Sequence, residues 1–209
     1  MPDATFDNCV FVNCPFDDEY EPILQAILFC IVELGFTPRL ASETQDGGEV
    51  RLDRIRSLIE ASKYSIHDLS RCISQEVGEH FRLNMPFELG IDYGCRQYFG
   101  SGRETKRFLI LEEQRYRFQA ALSDIAGSDI EAHEADHQVA VAKVRAWLVS
   151  VADAPQTGPS RILARYAEFQ EWYWETKLAA GASEEDIRRY PTGELLTAML
   201  KWYRTVRRV

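Results

Sequence analysis

Cys9-Val10-Phe11-Val12-Asn13-Cys14-Pro15-Phe16 is the stretch that indicates how this 209-residue chain folds. Its first five residues form a short, largely apolar run, which is typical of a strand buried on both faces. Pro15 ends the run, because proline has no N–H to donate to a neighbouring strand. From Asp17 onward apolar residues recur at helical spacing as far as Gly35, which favours the end of a helix. The stretch therefore predicts the first strand and the first helix of a parallel sheet.

The alternation of strand and helix patterns continues through the first 153 residues. Further strands are predicted at Pro38–Ala41, Tyr64–Leu69, Arg107–Leu111 and Asp129–Ala132. Further helices are predicted after the Gly47-Gly48 turn, from near Asn84 or Pro86 to about Tyr98, and from His137 to Val151. Five parallel strands joined by right-handed helical crossovers indicate an α/β fold with the flavodoxin-like strand order 2-1-3-4-5.

The remaining residues show no strand pattern and predict a C-terminal helical extension over residues 160–209, after a linker at Ala154–Pro159. A helix is predicted over Ile162–Lys177, with Ser183 and Thr192 as N-caps of two more. The first of these helices carries more aromatic side chains than one face can bury. They are predicted to be mostly core, with part forming an interface between copies, so the protein is expected to be a homo-oligomer.

Composition excludes several classes of partner and location. The net charge is −9 and basic residues form no run before the last few positions, so nucleic acid is not expected as a partner. The longest apolar stretch, Ile23–Phe36, is too short and too interrupted to span a membrane. Residues 1–7 do not resemble a signal peptide. Five cysteines without a Cys-x-x-Cys pair favour a reducing compartment, and the protein is predicted to be cytoplasmic.

Several kinds of catalytic or metal site lack their expected patterns. The four histidines do not have metal-ligand spacing, so no metal site is predicted. Neither a Ser-His-Asp arrangement nor a glycine-rich phosphate loop is recognisable.

The predicted topology brings three distant segments to one edge of the sheet. Ligands of open parallel sheets bind beyond the carboxyl ends of the strands, where the strand order reverses, here between strands one and three. Strand one leads into Asn13–Phe16 and strand three into His67–Ser70. The first turn of the following helix, taken as Asn84–Glu88, begins at the same edge. A site around Asn13, Asp68 and Glu88 is therefore predicted.

Each of these residues also has a structural interpretation. Asn13 could hold the turn before Pro15, and Asp68 could cap a loop. Glu88 could be an acid favoured by the dipole at a helix N-terminus. Its apolar neighbours favour a function instead, because burying an acid among apolar residues costs free energy.

Asn84-Met85-Pro86-Phe87-Glu88-Leu89-Gly90-Ile91-Asp92-Tyr93-Gly94 resembles the nucleophile helix of nucleoside 2-deoxyribosyltransferases, which carry a Glu-Leu-Gly motif there. Val10–Phe16 resembles their opening strand and substrate loop, and Tyr64–Ser70 their strand that ends in an aspartate. The related TIR domains share this topology, and the enzymatic members use a glutamate on the corresponding helix to cleave NAD. The resemblance covers roughly residues 9–150, so a TIR-like or deoxyribosyltransferase-like domain is predicted at 1–153.

The resemblance implies that Glu88 is the nucleophile and that Asp68 binds or protonates the leaving base. Residues predicted to contact the substrate are Asn13, Pro15, Phe16, Ser70, Asn84, Asp92 and Arg51, the last because it follows Gly47-Gly48 and could lie near a phosphate. The long loop Arg71–Leu83, the Pro86-Phe87 pair and the C-terminal extension depart from the transferases. These departures favour hydrolysis or sensing over strict deoxyribosyl transfer.

The predicted function is cleavage of the base–ribose bond of NAD or another nucleotide by an N-glycosidase. NAD or a nucleotide would be the substrate or ligand, and no further cofactor is expected. The roles of such relatives imply a bacterial stress or antiviral effector. The alternative is a non-catalytic module that senses a nucleotide or binds a protein and signals through its C-terminal helices.

Overall fold

A computed structural model describes residues 4–42, 48–71, 74, 83–115, 117–118, 122–125 and 127–206. Its five strands form one parallel sheet in the order β2-β1-β3-β4-β5, which confirms the predicted flavodoxin-like topology. The strands are β1 Cys9–Asn13, β2 Thr37–Arg39, β3 Tyr64–Asp68, β4 Arg107–Glu112 and β5 Ile130–Ala132. The predicted second strand, Pro38–Ala41, is shorter and begins one residue earlier than expected. Gly47 of the predicted turn and most of the loop Arg71–Leu83 lie outside the described residues.

The helices flank the sheet on both faces. They are α1 Glu21–Glu33, α2 Arg51–Glu60, α3 Asn84–Tyr98, α4 His137–Ala152, α5 Pro159–Ala179, α6 Glu184–Arg189 and α7 Thr192–Val206. Gly35, just beyond α1, has a φ of +91°, a conformation that glycine adopts without steric cost, and so ends the helix as predicted. The predicted N-cap Ser183 accepts a hydrogen bond from the Asp186 N–H, whereas Thr192 is the first residue of α7 rather than its cap.

The C-terminal helices pack on α1 and share a single apolar core with the sheet. Phe29 of α1 contacts the rings of Tyr166, Phe169 and Trp202, with centroids 5.3, 5.6 and 5.6 Å away. Trp172 and Trp174 are partly buried against the same core. Most of the aromatic side chains that one face of the helix cannot bury are therefore packed against the core of the molecule.

Burial of both sheet faces explains why the strands could be recognised. All five residues of β1 and all five of β3 are buried, as expected for a sheet covered by helices on both sides. The buried residues of β3 nevertheless include Ser65, His67 and Asp68. This polar content sets β3 apart from an ordinary core strand and leads to the site described next. None of the helices in the described ranges is long and apolar enough to cross a membrane.

Candidate active site

Glu88 lies on α3 at the edge where the parallel strands end. The helix begins at Asn84 after Leu83, so Glu88 is its fifth residue and belongs to the second turn. The sequence analysis had placed Glu88 in the first turn of this helix, and the structure corrects this. The position one turn deeper matters, because Glu88 is then held by regular helix rather than by a terminus that can fray.

The Glu88 side chain is buried, and no residue that the structure describes pairs with its carboxylate. The residue is only 5% exposed. Within the described part of the chain its carboxylate forms neither a hydrogen bond nor an ion pair. Burial raises the pKa of Glu88, and the positive charge of Arg51, the first residue of α2, opposes this in part. A carboxylate that is desolvated and left unpaired is costly for folding and available to a ligand.

Asn13 joins the end of β1 to the start of α3. Its Nδ2 donates to the Met85 carbonyl at 2.9 Å and to His67 Nδ1 at 3.0 Å. The carbonyl can only accept, which fixes the orientation of the amide, and His67 Nδ1 must therefore be the unprotonated ring nitrogen. Both N–H groups of Asn13 are thus used within the protein. These contacts give Asn13 a structural role other than the predicted one of holding the turn before Pro15: Asn13 holds the start of the helix that carries Glu88.

A buried polar chain continues from His67 across the face of the sheet beneath α3. His67 Nε2, which carries the ring proton, lies 3.0 Å from Asp92 Oδ2, and Asp92 Oδ1 lies 3.1 Å from Lys106 Nζ. Lys106 is fully buried, and its ammonium donates to the carbonyls of Ile59, at 2.7 Å, and Ser62. Burial raises the pKa of Asp92, but the hydrogen bond from His67 and the charge of Lys106 outweigh it, so the net pKa is lowered.

Asp92 therefore differs from its predicted role. It was expected to contact the substrate, yet it is fully buried and both of its carboxylate oxygens face internal partners. Its Oδ2 has the hydrogen bond with His67, and its Oδ1 has the charge of Lys106 beside it, although Oδ1 accepts no hydrogen bond. Asp92 positions α3, one turn beyond Glu88, and is not free to bind a ligand.

Asp68 ends β3 on the opposite face of the sheet, towards α1 and α4. Its carboxylate accepts a hydrogen bond from the Tyr20 hydroxyl at 2.6 Å and from the Ser70 N–H at 2.9 Å, and it is also bound by the Ser70 hydroxyl. His133 Nε2 lies 3.1 Å away. Burial alone would raise the pKa of Asp68, but the hydrogen bonds from His133, Ser70 and Tyr20 outweigh it and lower the pKa.

Asp68, Ser70 and His133 come together although the sequence shows no Ser-His-Asp pattern. The Ser70 hydroxyl oxygen lies 2.8 Å from His133 Nε2, the same nitrogen that faces Asp68. His133 Nδ1 accepts the Ala135 N–H at 3.2 Å, so Nε2 carries the proton. In a nucleophilic triad, serine and aspartate bind opposite ring nitrogens and the one facing serine is free to take its proton. This group lacks that geometry and is a hydrogen-bonded cluster around an ionised Asp68.

Asp68 and Glu88 lie on opposite faces of the sheet at its carboxyl edge, and both of their charges act on Cys14, which follows β1. Burial raises the pKa of the Cys14 thiol, and the carboxylates of Asp68 and Glu88 raise it further. Pro15 is buried next to Cys14, and Ser70 is buried within the Asp68 cluster. Contrary to the prediction that it contacts a ligand, Ser70 uses its hydroxyl and its N–H internally.

The other predicted contact residues are exposed and fall into two places. Asn84 and Arg51 are the first residues of α3 and α2, at the edge that carries Glu88. Phe16 is exposed on the other side of the β1–α1 loop. There it lines a cavity of about 730 Å³ between this loop and the helices α5, α6 and α7. That cavity contains none of Asn13, Asp68 and Glu88, so its size does not identify the site.

Tyr20, His67, Lys106 and His133 were missed by reasoning from the sequence. They lie 25 or more residues from at least one partner in the site, and no spacing rule connects such positions. One signal was present. Ser65 and His67 alternate within an otherwise apolar strand, and a strand buried on both faces should not contain such residues without internal partners.

Within the described ranges, no group of three or more His, Cys, Asp or Glu side chains is arranged to hold a metal ion. Comparison of the chain with protein-family models, with curated proteins and with solved structures found no match.

Proposed function

We propose that this protein is an N-glycosidase that cleaves the bond between base and ribose in NAD or another nucleotide. The observation that carries the proposal is Glu88: a carboxylate on a regular helix, buried, unpaired within the described residues and located where an open parallel sheet binds its ligand. The resemblance of residues 84–94 to the nucleophile helix of nucleoside 2-deoxyribosyltransferases supports the same residue.

Cleavage of this bond develops positive charge at the anomeric carbon of the ribose. A carboxylate next to that carbon stabilises the charge or captures the sugar covalently. The attraction is stronger when water is excluded, because fewer solvent dipoles compete for the carboxylate. The desolvation that makes Glu88 costly in the free protein is the property that would make it effective in the transition state.

The ionisation state of Asp68 limits the proposed substrates to those whose leaving base needs no proton from this residue. Its lowered pKa keeps Asp68 ionised at neutral pH, and its oxygens bind Tyr20, Ser70 and His133. Protonation of a leaving base by Asp68, as the sequence suggested, is therefore not part of the proposal. Nicotinamide in NAD is already cationic before cleavage and leaves without a proton, so NAD suits a site with one available carboxylate.

The test is turnover of NAD and of a panel of nucleosides and nucleotides by pure protein, with free base detected by chromatography at several protein concentrations. We expect Glu88→Gln to lose about 10²-fold or more in rate, because it keeps the shape and removes the charge. Glu104→Gln is the matched control, since Glu104 is exposed and precedes β4 at the opposite edge of the sheet. Equal rates for wild type and Glu88→Gln would refute the assignment.

The alternative remains a module that binds a nucleotide without cleaving it and signals through α5–α7. It would replace the enzymatic proposal if wild type and Glu88→Gln both bound nucleotide and neither released base. A role as a bacterial stress or antiviral effector is proposed on the resemblance alone. An effector role requires that cells expressing the wild type release base from NAD and that cells expressing Glu88→Gln do not.

A further inference from the structure

Arg51 is an exposed cation at the edge of the sheet that carries Glu88. It is the first residue of α2, and its charge reaches the Glu88 carboxylate. Among the described residues it takes part in no ion pair or hydrogen bond. A surface arginine without a partner is common by itself, so the significance of Arg51 depends on its surroundings.

The acids nearest to Arg51 in sequence are bound to other arginines. Glu49 lies 2.7 Å from Arg54, and Asp53 lies 3.1 Å from Arg56. The local charges of α2 are therefore paired in a way that leaves the guanidinium of Arg51 available. Val50 and Leu52, on either side of it, are exposed apolar residues.

The N-cap residues of α2 and α3 also leave the first-turn N–H groups without a side-chain acceptor. Val50 is the N-cap of α2 and Leu83 is the N-cap of α3, and neither supplies a side-chain hydrogen bond to the first turn of its helix. The helices have 10 and 15 residues and pack against each other. N–H groups in the first turn of a helix, combined with the forked donors of an arginine, are the chemistry that binds phosphate in proteins.

Glu88 is the second, independent observation. It is a buried carboxylate without a partner among the described residues, and it lies on α3, which begins at the same edge of the sheet as α2 and packs against it. Glu88 and Arg51 form no ion pair with each other, so this edge presents a carboxylate and a guanidinium that are both available to a ligand. A ribose with a developing cation at one end and an anionic group at the other has that charge pattern.

We propose that the site takes ribose compounds that carry a 5′-phosphate or diphosphate, with Arg51 and the first turn of α2 binding the phosphate and Glu88 facing the anomeric carbon. This inference rests on the proposed function for the role of Glu88. It goes further by separating nucleotides and NAD, which would be ligands, from nucleosides, which would bind weakly.

The test is calorimetric titration of the full chain at low ionic strength with ribose 5-phosphate and ribose, with AMP and adenosine, with NAD, and with inorganic phosphate. We expect each phosphorylated compound to bind at least tenfold more tightly than its counterpart without phosphate. Arg51→Gln should remove that difference and leave adenosine unaffected. Arg56→Gln is the matched control, because Arg56 is also exposed on α2 but is paired with Asp53.

Three outcomes would overturn the inference: equal affinity for AMP and adenosine, no effect of Arg51→Gln, or no binding of any phosphorylated compound. Inorganic phosphate that binds as tightly as ribose 5-phosphate would reduce Arg51 to a general anion site and would also overturn it. Failure of the enzymatic proposal looks different. If only the enzymatic proposal fails, nucleotides bind through Arg51 but release no base. If only the phosphate site fails, the protein is still an N-glycosidase, but it cleaves nucleosides as fast as nucleotides.

Discussion

Glu88 carries a charge that the described protein does not compensate, and this has a consequence for stability. Its raised pKa means that the folded protein holds the Glu88 proton more tightly than the unfolded chain does. Ionisation of Glu88 therefore destabilises the fold as pH rises above about 4, the pKa of an ordinary glutamate. Glu88→Gln should be as stable as wild type or more stable at pH 7, by urea unfolding, and the difference should vanish near pH 4. A clear loss of stability at pH 7 would show that Glu88 has a structural partner.

The pKa of Asp68 is shifted in the opposite direction, so ionisation of Asp68 stabilises the fold. Its lowered pKa stabilises the fold above the ordinary aspartate pKa of about 3.9, and this contribution disappears as pH falls through the pKa of the folded state. Asp68→Asn should cost about 2–4 kcal/mol at pH 7, because charged hydrogen bonds from His133, Ser70 and Tyr20 are lost. The cost should shrink below pH 4.

Urea unfolding of Asp68→Asn between pH 3 and pH 8 measures both effects. Asp18→Asn is the control, since Asp18 is exposed in the loop before α1. If Asp68→Asn were as stable as wild type but bound nucleotide poorly, Asp68 would regain its predicted role in ligand binding.

At the level of the elements, the chain from Asn13 through His67 and Asp92 to Lys106 ties α3 to β1, to β3 and to the residues after α2. Lys106→Met should cost about 3–5 kcal/mol, because removing one member of a buried ion pair leaves the other charge uncompensated. The double variant Lys106→Met/Asp92→Asn should be less destabilised than Lys106→Met alone, since the amide introduced by Asp92→Asn is neutral and its oxygen would still accept the proton of His67. Urea unfolding of the four proteins of this cycle checks the sign of the coupling. If the losses of unfolding free energy in the two single variants simply added up in the double variant, the ion pair would not hold α3.

Some of these elements could be predicted from the sequence because the cause was local. β1 and β4 are short apolar runs, and α1 ends at a glycine, so neighbouring residues determine them. The edge of the sheet that carries Glu88 followed from strand order alone. The contacts that determine what each site residue does could not be predicted from the sequence. Asp68 could be placed at the end of a strand, but its protonation state depends on His133, which is distant in the chain and joined to it only by the fold.

At the level of the whole molecule, α5–α7 complete the core rather than adding to a finished domain. Truncation after Asp153 would expose Phe29 and its neighbours on α1, so it cannot test self-association cleanly. Trp202→Ala is the sharper test of the packing, and it should cost about 3–5 kcal/mol for the lost contacts and the cavity that remains. We expect its measured sedimentation coefficient at low temperature to match that of wild type, because Trp202 faces the core. A change in association without a loss of stability would place Trp202 in an interface.

Homo-oligomerisation stays a prediction, but the exposed apolar side chains favour an interface around α3 rather than on the C-terminal helices. Among the described residues, the exposed large apolar side chains are Phe16, Val50, Leu52, Leu83, Phe87, Tyr93, Tyr98, Phe99 and Leu178, and only the last belongs to α5–α7. Most of the others lie on or beside α3. Sedimentation of the full chain over a range of concentrations, with Tyr98→Arg as the variant and Leu178→Arg as the control, tests whether the surface around α3 associates.

The contact between Phe29 and Trp202 also constrains the order of events during synthesis. The outer face of α1 leaves the ribosome before most of the sheet, whereas the helices that cover it are made only after α4. At about 5–20 residues per second, the wait between these two residues is roughly 10 to 35 s. An apolar helix face exposed for that long is a target for holding chaperones and for association between nascent chains. Production of this protein should therefore respond to chaperone supply, and emergence of α7, rather than emergence of the sheet, should be the step at which it becomes resistant to protease.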